Sequence, residues 1–171
     1  MQQLISDLLA YSRVESRSAP FKPTPLNEVF SDAIEMLRPS ITDTQAHVTR
    51  DDLPVVDGDR SQLTQLLQNL IGNAIKYHGE SPPVVHLSCS RQGPDWTIAV
   101  RDNGIGIASE HHERIFEIFR RLHTQSAYPG TGIGLAVCRR IVVRHGGKIW
   151  LESEEENGST FFFTIRESAA K

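Results

Sequence analysis

The chain has 171 residues, 39% of them hydrophobic and 23% charged, with a formal net charge of −3. This is the composition of a globular domain with one sizeable core and an appendage. The charge balance offers nucleic acid no footprint, no apolar run approaches the ~20 residues of a membrane span, and the N-terminus lacks a signal-peptide pattern. Cys89 and Cys138 form no Cys-x-x-Cys pair, so buried free thiols in a reducing, cytoplasmic setting are expected.

In chain order, Met1 to Glu15 reads as a helix with an apolar stripe of Leu4, Ile5, Leu8, Leu9, Tyr11 and Val14. Ser16 to Pro25 is rich in serine and proline and reads as a linker. Asn27 is placed to cap a helix from about Glu28 to Leu37, ending before Pro39. Ala46 to Arg50 reads as an edge strand and Asp57-Gly58-Asp59 as a turn. Asp59 or Ser61 caps the next helix, which runs to about His78 and stops at Gly79. Val84 to Ser90 and Trp96 to Arg101 alternate as a strand pair. Helices are expected over Ser109 to Phe119 and Ile133 to His145, and a closing hairpin joins Lys148–Glu152 to Thr160–Ile165 around Asn157-Gly158. Helices mixed with hairpin-joined strands predict an α+β two-layer sandwich, with helices on one face of a mixed sheet and an extra N-terminal helix.

Two features carry chemistry. On the helix after Asp59, Gln62, Gln65, Asn69, Asn73 and Lys76 fall within roughly 80° of one another at 100° per residue, while Leu63, Leu67, Leu70, Ile71 and Ala74 form the core face. Solvated stripes are usually rich in lysine and glutamate. This one is amide-rich with a single charge; amide oxygens suit Mg²⁺ and Lys76 suits phosphate. The second feature is a pair of glycine clusters, Asp102-Asn103-Gly104-Ile105-Gly106-Ile107 and Gly130-Thr131-Gly132-Ile133-Gly134-Leu135. A carboxylate followed by glycines fits a ligand approached closely by backbone. Glycines leading into a helix N-terminus offer free N–H groups to an anion. A nucleotide has both a polar edge and phosphates.

Together these motifs resemble the catalytic, ATP-binding domain of sensor histidine kinases, in the ATPase superfamily of gyrase B, the large heat-shock chaperone and MutL. Asn69 to Tyr77 resembles the family's N box, Asp102 to Gly106 its first glycine box, Phe116-Glu117-Ile118-Phe119 its F box, and Gly130 to Leu135 its second glycine box. Phe119-Arg120-Arg121-Leu122 is similar to kinases of the phytochrome type. The resemblance implies the Bergerat ATP-binding fold over residues 27–166, preceded by the end of a dimerisation helix (1–17) and a linker (18–26), and followed by a tail (167–171). It implies that Asp102 accepts from the adenine amino group, as a group that only accepts should. Gly104 and Gly106 admit the base, Asn73 ligates Mg²⁺ with Asn69 beside it, Lys76 contacts phosphate and Tyr77 packs near the nucleotide. Gly132 and Gly134 present N–H groups to phosphate. Arg121, or its neighbour Arg120, steadies the γ-phosphate. Ile107, Gly130, Thr131, Ile133 and Leu135 complete the contacts, Thr160 lines the adenine pocket, and Phe116 and Phe119 anchor the lid.

The implied reaction moves the ATP γ-phosphoryl group to a histidine, with Mg²⁺ as cofactor. The implied partners are a histidine-bearing dimerisation domain of the same kinase, a second copy in a homodimer, and a response regulator receiver domain. None of the seven histidines has the family's acceptor context, so this segment alone is expected not to phosphorylate itself. A free-standing ATPase would favour a glutamate where Asn69 stands, as a base for water; a docking module would favour loss of Asn73 or Asp102. His111, His112 and His123 lack zinc-helix spacing and are not expected to hold a metal.

Overall fold

The structure is a computed structural model that describes residues 2–16, 18–122 and 130–169. Five strands form one mixed sheet: β2 (His47–Arg50), β4 (Val84–Gln92), β5 (Asp95–Asp102), β7 (Ser159–Arg166) and β6 (Ile149–Ser153), in that spatial order. Strand β2 runs parallel to β4 and every other pairing is antiparallel. The β4–β5 register sets Leu87 opposite Val100, and the β5–β7 register sets Val100 opposite Phe161 and Ile98 opposite Phe163. Alternation therefore gathers these side chains on one face, where they are buried. The opposite face carries smaller and polar residues with one stacked pair, Trp150 on Phe162 at 5.3 Å.

Helices α2 (Leu26–Thr44), α3 (Arg60–Lys76) and α4 (Gly134–Arg144) cover the buried face. Helix α3 lies between the other two and against β4 and β5. It is accordingly buried on most of its circumference, with Leu63, Leu66, Leu67, Leu70 and Ile71 at 1% exposure or less. Asp59 caps it, its carboxylate accepting from the N–H groups of Ser61 and Gln62. The expected two-layer α+β sandwich is the observed architecture, with helix α1 (Gln2–Ser16) packed on α4.

Four local readings need correction. The linker contains a strand, β1 (Lys22–Pro25), paired antiparallel with β3 (Val55–Gly58), where a turn was expected. Pro23 and Pro25 fit because a two-stranded ribbon has only edges, and an edge position needs no donor. Helix α2 does not stop before Pro39 but runs to Thr44; Pro39 is exposed, so the carbonyl it leaves unpaired faces water. Asn27 is not the cap; Pro25 is, and the Asn27 amide instead accepts from Leu53 N–H and donates to Asp52. Ser109 to Phe119 is not one α-helix but two 3₁₀ turns, Ser109–His111 and Arg114–Phe116. Neither has a side-chain cap, and the segment is too short to hold a helix without one.

Cys138 is buried and Cys89 only partly so; both are free thiols. Among the described residues, no helix is long and apolar enough to cross a membrane.

Candidate active site: a two-lobed cleft

A continuous cleft opens between α3, α4 and the ends of β5 and β7. Its apolar lobe is lined by Ala74, Tyr77, Ile107, Ile115 and Phe161, with Asp102 as its carboxylate. Its polar lobe is lined by Gln65, Asn69, Lys76, Thr131, Gly132 and Gly134. Asn73, Tyr77, Ile115, Arg120, Arg121 and Leu135 border both.

Asp102 is the last residue of β5. Its Oδ1 accepts from the N–H of Gly104 at 2.8 Å and of Ser159 at 3.2 Å. Among the described residues Oδ2 makes no hydrogen bond and is free to take a further donor. Burial pushes the carboxyl up to about 6, against the two N–H groups that favour its charge. Gly104 packs on the Tyr77 carbonyl, 2.4 Å from where its Cβ would lie. Gly106 has φ of 72°, and a Cβ there would meet the Glu154 carbonyl oxygen at 1.9 Å. Only glycine lets that loop close beside the apolar lobe.

The polar lobe is built by α3 and the start of α4. The Asn73 side chain makes no hydrogen bond among the described residues, so its amide group is uncommitted, while its main-chain carbonyl accepts from Tyr77 N–H. Asn69 donates to the Gly134 carbonyl at 3.3 Å. Lys76 Nζ lies 4.9 Å from the Tyr77 ring centroid, and a Cβ on Gly130 would come within 2.5 Å of it. Arg121 donates to the Gly130 carbonyl at 2.6 Å. Among the described residues helix α4 has no side-chain cap, so its first N–H groups and the positive end of its dipole are available to an anion.

Two phenylalanines mark the described part of the segment between the glycine clusters. Phe116 is buried, edge-on to Phe161 at 6.2 Å. Phe119 donates its N–H to the Gly132 carbonyl at 2.9 Å and holds φ of 63°, rare for a residue with a side chain. Phe119 is 57% exposed, so of the two only Phe116 behaves as a core aromatic. His112 reaches the Ile107 carbonyl and His111 lies beside Glu110. His123 and the lid residues 124–129 fall outside the described residues.

Most residues expected at the site thus come together from α3, β5, α4 and the loops that join them. Three do not border the cleft, the first being Gly104, which packs on the Tyr77 carbonyl. Ile133 is fully buried beneath it. Thr160 sits on the other face of β7, beside Arg101 and Glu152; strand alternation gives the apolar lobe Ser159 and Phe161 instead. The amide stripe also divides. Gln62 is buried away from the cleft, donating to the Val14 carbonyl and accepting from Arg144, both at 2.7 Å. Sequence reading missed Ser159 and Phe161, which period-two alternation beside Asp102 locates, and Gln3, Asp7 and Ala10 of α1, which wall the polar lobe.

Residues 58–169 match the family model described as histidine kinase-, DNA gyrase B- and HSP90-like ATPase. Cyanobacterial phytochrome A of Nostoc sp. strain PCC 7120 is 47% identical over 165 residues, 96% of this chain and 22% of that protein. The chain thus spans about a fifth of the length of the curated relatives it matches first. The catalytic domain of histidine kinase ThkA superposes with a TM-score of 0.74 at 31% identity, over 87% of this chain and 97% of that one. ThkA in complex with the response regulator protein TrrA superposes with a TM-score of 0.76 at 28% identity, over 98% of this chain and 47% of that one. Full-length ShkA in complex with AMPPNP gives 0.79 at 26% identity, over 98% of this chain and 36% of that one. The chain belongs to the ATPase family of histidine kinases, DNA gyrase B and HSP90, and within it is a catalytic domain of the histidine kinase type.

Proposed function

We propose that this domain binds Mg·ATP in the two-lobed cleft and transfers the γ-phosphoryl group to a histidine on a dimerisation domain that lies largely outside residues 1–171. The observation that carries the reading is the polarity of one continuous cleft. An apolar slot with a single carboxylate acceptor leads into a lobe with an uncommitted amide, a lysine and an uncapped helix N-terminus. Adenine fits the first, its amino group donating to Asp102; the triphosphate fits the second. The donor set suits a hard cation: Asn73 would hold Mg²⁺ with Asn69 beside it, and the ion would supply charge neutralisation between phosphates. Lys76 and the N–H groups of Gly132 and Gly134 take phosphate charge, and Arg121 or Arg120 steadies the γ-phosphate. In the transfer, the bond between the γ-phosphorus and its bridging oxygen breaks, a phosphorus–nitrogen bond forms on the imidazole, and ADP leaves.

Residues 1–17 then form the end of the dimerisation helix, 18–26 the connector, 27–166 the catalytic domain and 167–171 a tail. The exposed Ile5, Leu8 and Leu9 are a face for the partner helix of a homodimer. The phosphorylated histidine passes its phosphoryl group to a response regulator receiver domain, in line with the ThkA–TrrA complex, and the work is done in the cytoplasm, where ATP is.

The test supplies the missing acceptor. Mixed with Mg·ATP and a dimerisation hairpin of the phytochrome type, the chain should place acid-labile phosphate on the hairpin histidine, and Asn73→Ala should abolish it. ATP binding with release of free phosphate at the same rate with and without the hairpin would instead mean an ATPase that uses water.

A further inference from the structure

Helix α1 has two faces. Leu4, Asp7, Tyr11 and Val14, three or four residues apart, turn toward the domain; Ile5, Leu8 and Leu9 are 57%, 39% and 44% exposed. Asp7 is the only charged residue in the domain-facing row. Its carboxylate accepts the Thr131 hydroxyl hydrogen across 124 residues of chain, and also accepts from Gln3 at 2.8 Å. With Gln3 and Ala10 it forms a wall of the polar lobe that also holds Asn73, Lys76 and Gly132.

The C-terminal half of α1 is fastened independently of the lobe. Val14 is 2% exposed, and its carbonyl accepts from Gln62 at 2.7 Å. Arg140 lies 4.4 Å over the Tyr11 ring and pairs with Glu15 at 3.3 Å. The N-terminal half has Leu4 against the core and the Asp7–Thr131 bond.

We propose that the N-terminal half of α1 and the nucleotide phosphates compete for the polar lobe, with Asp7 as the competing anion. Asp7 holds Thr131 at the mouth of α4, in the second glycine cluster, where a phosphate would look for donors. A carboxylate and a triphosphate in one partly enclosed lobe repel, and both cannot take the same hydroxyl. The coupling is reciprocal: phosphate binding loosens α1, and freeing α1 strengthens phosphate binding by the same factor. The tethered C-terminal half keeps the helix attached while its other half lifts. This inference rests on the reading of the cleft as an ATP site.

The experiment titrates the full chain, Asp7→Ala and Asp7→Asn with Mg·ATP, Mg·ADP and adenosine. Asp7→Ala should bind both nucleotides about tenfold more tightly, the worth of one charge-assisted contact, and adenosine as the parent does. Asp7→Asn, which keeps the acceptor but not the charge, should fall between. Hydrogen exchange of the parent should quicken at amides of residues 6–10 when Mg·AMPPNP is added and stay constant at residues 12–16. Equal nucleotide affinity in all three proteins, or weaker binding by Asp7→Ala, overturns the proposal while leaving the ATP site standing. Failure of every protein to bind any of the three ligands removes the ATP site and this inference together.

Discussion

The main-chain N–H of Asp59 donates to Nε2 of His145 at 3.1 Å, across 86 residues of sequence. Since Nε2 accepts, Nδ1 carries the proton and donates to the Ile141 carbonyl at 2.7 Å. Burial holds this histidine below its ordinary value, against the Ile141 carbonyl, which favours the charged form. A base whose folded pKa is depressed stabilises the fold fully above pH 6.5 and loses that contribution as pH falls through the folded value. The difference in unfolding free energy between the parent and His145→Gln should therefore shrink as the pH of urea denaturation is lowered from 7.5 to 5. A difference that grows on acidification would contradict this.

Asp102 has the opposite sign. A carboxyl held near 6 instead of 3.8 costs on the order of 2–3 kcal/mol when ionised at pH 7, and that cost disappears as pH falls through 6 toward 4. Asp102→Asn should then raise the unfolding midpoint at pH 7 while weakening ATP binding roughly 10- to 100-fold through loss of the charged acceptor. In the parent, ATP affinity should decline below pH 6 as the acceptor is protonated. Asp102→Asn proteins that are less stable at pH 7, or that bind ATP normally, would show that this carboxyl is neither strained by burial nor used for adenine.

Glycine substitutions separate conformational cost from collision. Gly93 has φ of 63° with nothing within 4 Å of its absent Cβ, whereas Gly106 has φ of 72° and the Glu154 oxygen at 1.9 Å. Gly93→Ala should cost about 1 kcal/mol, from backbone conformation alone. Gly106→Ala should cost at least about 2 kcal/mol, because main chain has to move. Equal losses in thermal unfolding would mean the Gly106 loop is soft.

Arg144 ties the connector to the domain. Its guanidinium bonds Gln62 at 2.7 Å and the Ala19 carbonyl at 2.9 Å, pairs with Asp59 at 3.4 Å and lies 4.6 Å over the Phe21 ring. Asp59 is 3% exposed and keeps the N–H groups of Ala19, Ser61 and Gln62, so removal of the arginine leaves it bonded but unpaired. Arg144→Met should cost about 1–3 kcal/mol, and a double-mutant cycle with Asp59→Asn should show positive coupling. Additive effects would mean the pair is a bystander.

Much of the site was legible in the sequence because it is written in local patterns. The α3 stripe follows from helical period, and both glycine clusters sit where backbone comes close to the cleft. The β1–β3 ribbon was not legible: Pro23 and Pro25 look like linker, and the buried Val56 and Thr24, the latter donating its hydroxyl to the Gly58 carbonyl, show why four-residue strands hold there. Gln62 shares the stripe of Asn69 and Asn73 but lies two turns earlier, where α1 and Arg144 cover the helix. Thr160 failed by a one-residue alternation. Asp7 carried a signal, a carboxylate within an apolar stripe, whose meaning depends on a contact 124 residues away.

The adenine site is tested most directly by a calorimetric titration of the chain with Mg·ATP and Mg·GTP, repeated on Asp102→Asn. The parent should bind ATP and not GTP, because guanine presents an oxygen where Asp102 needs a donor, and the variant should lose most of that binding. Equal binding of the two nucleotides, or ATP binding indifferent to Asp102→Asn, would contradict it.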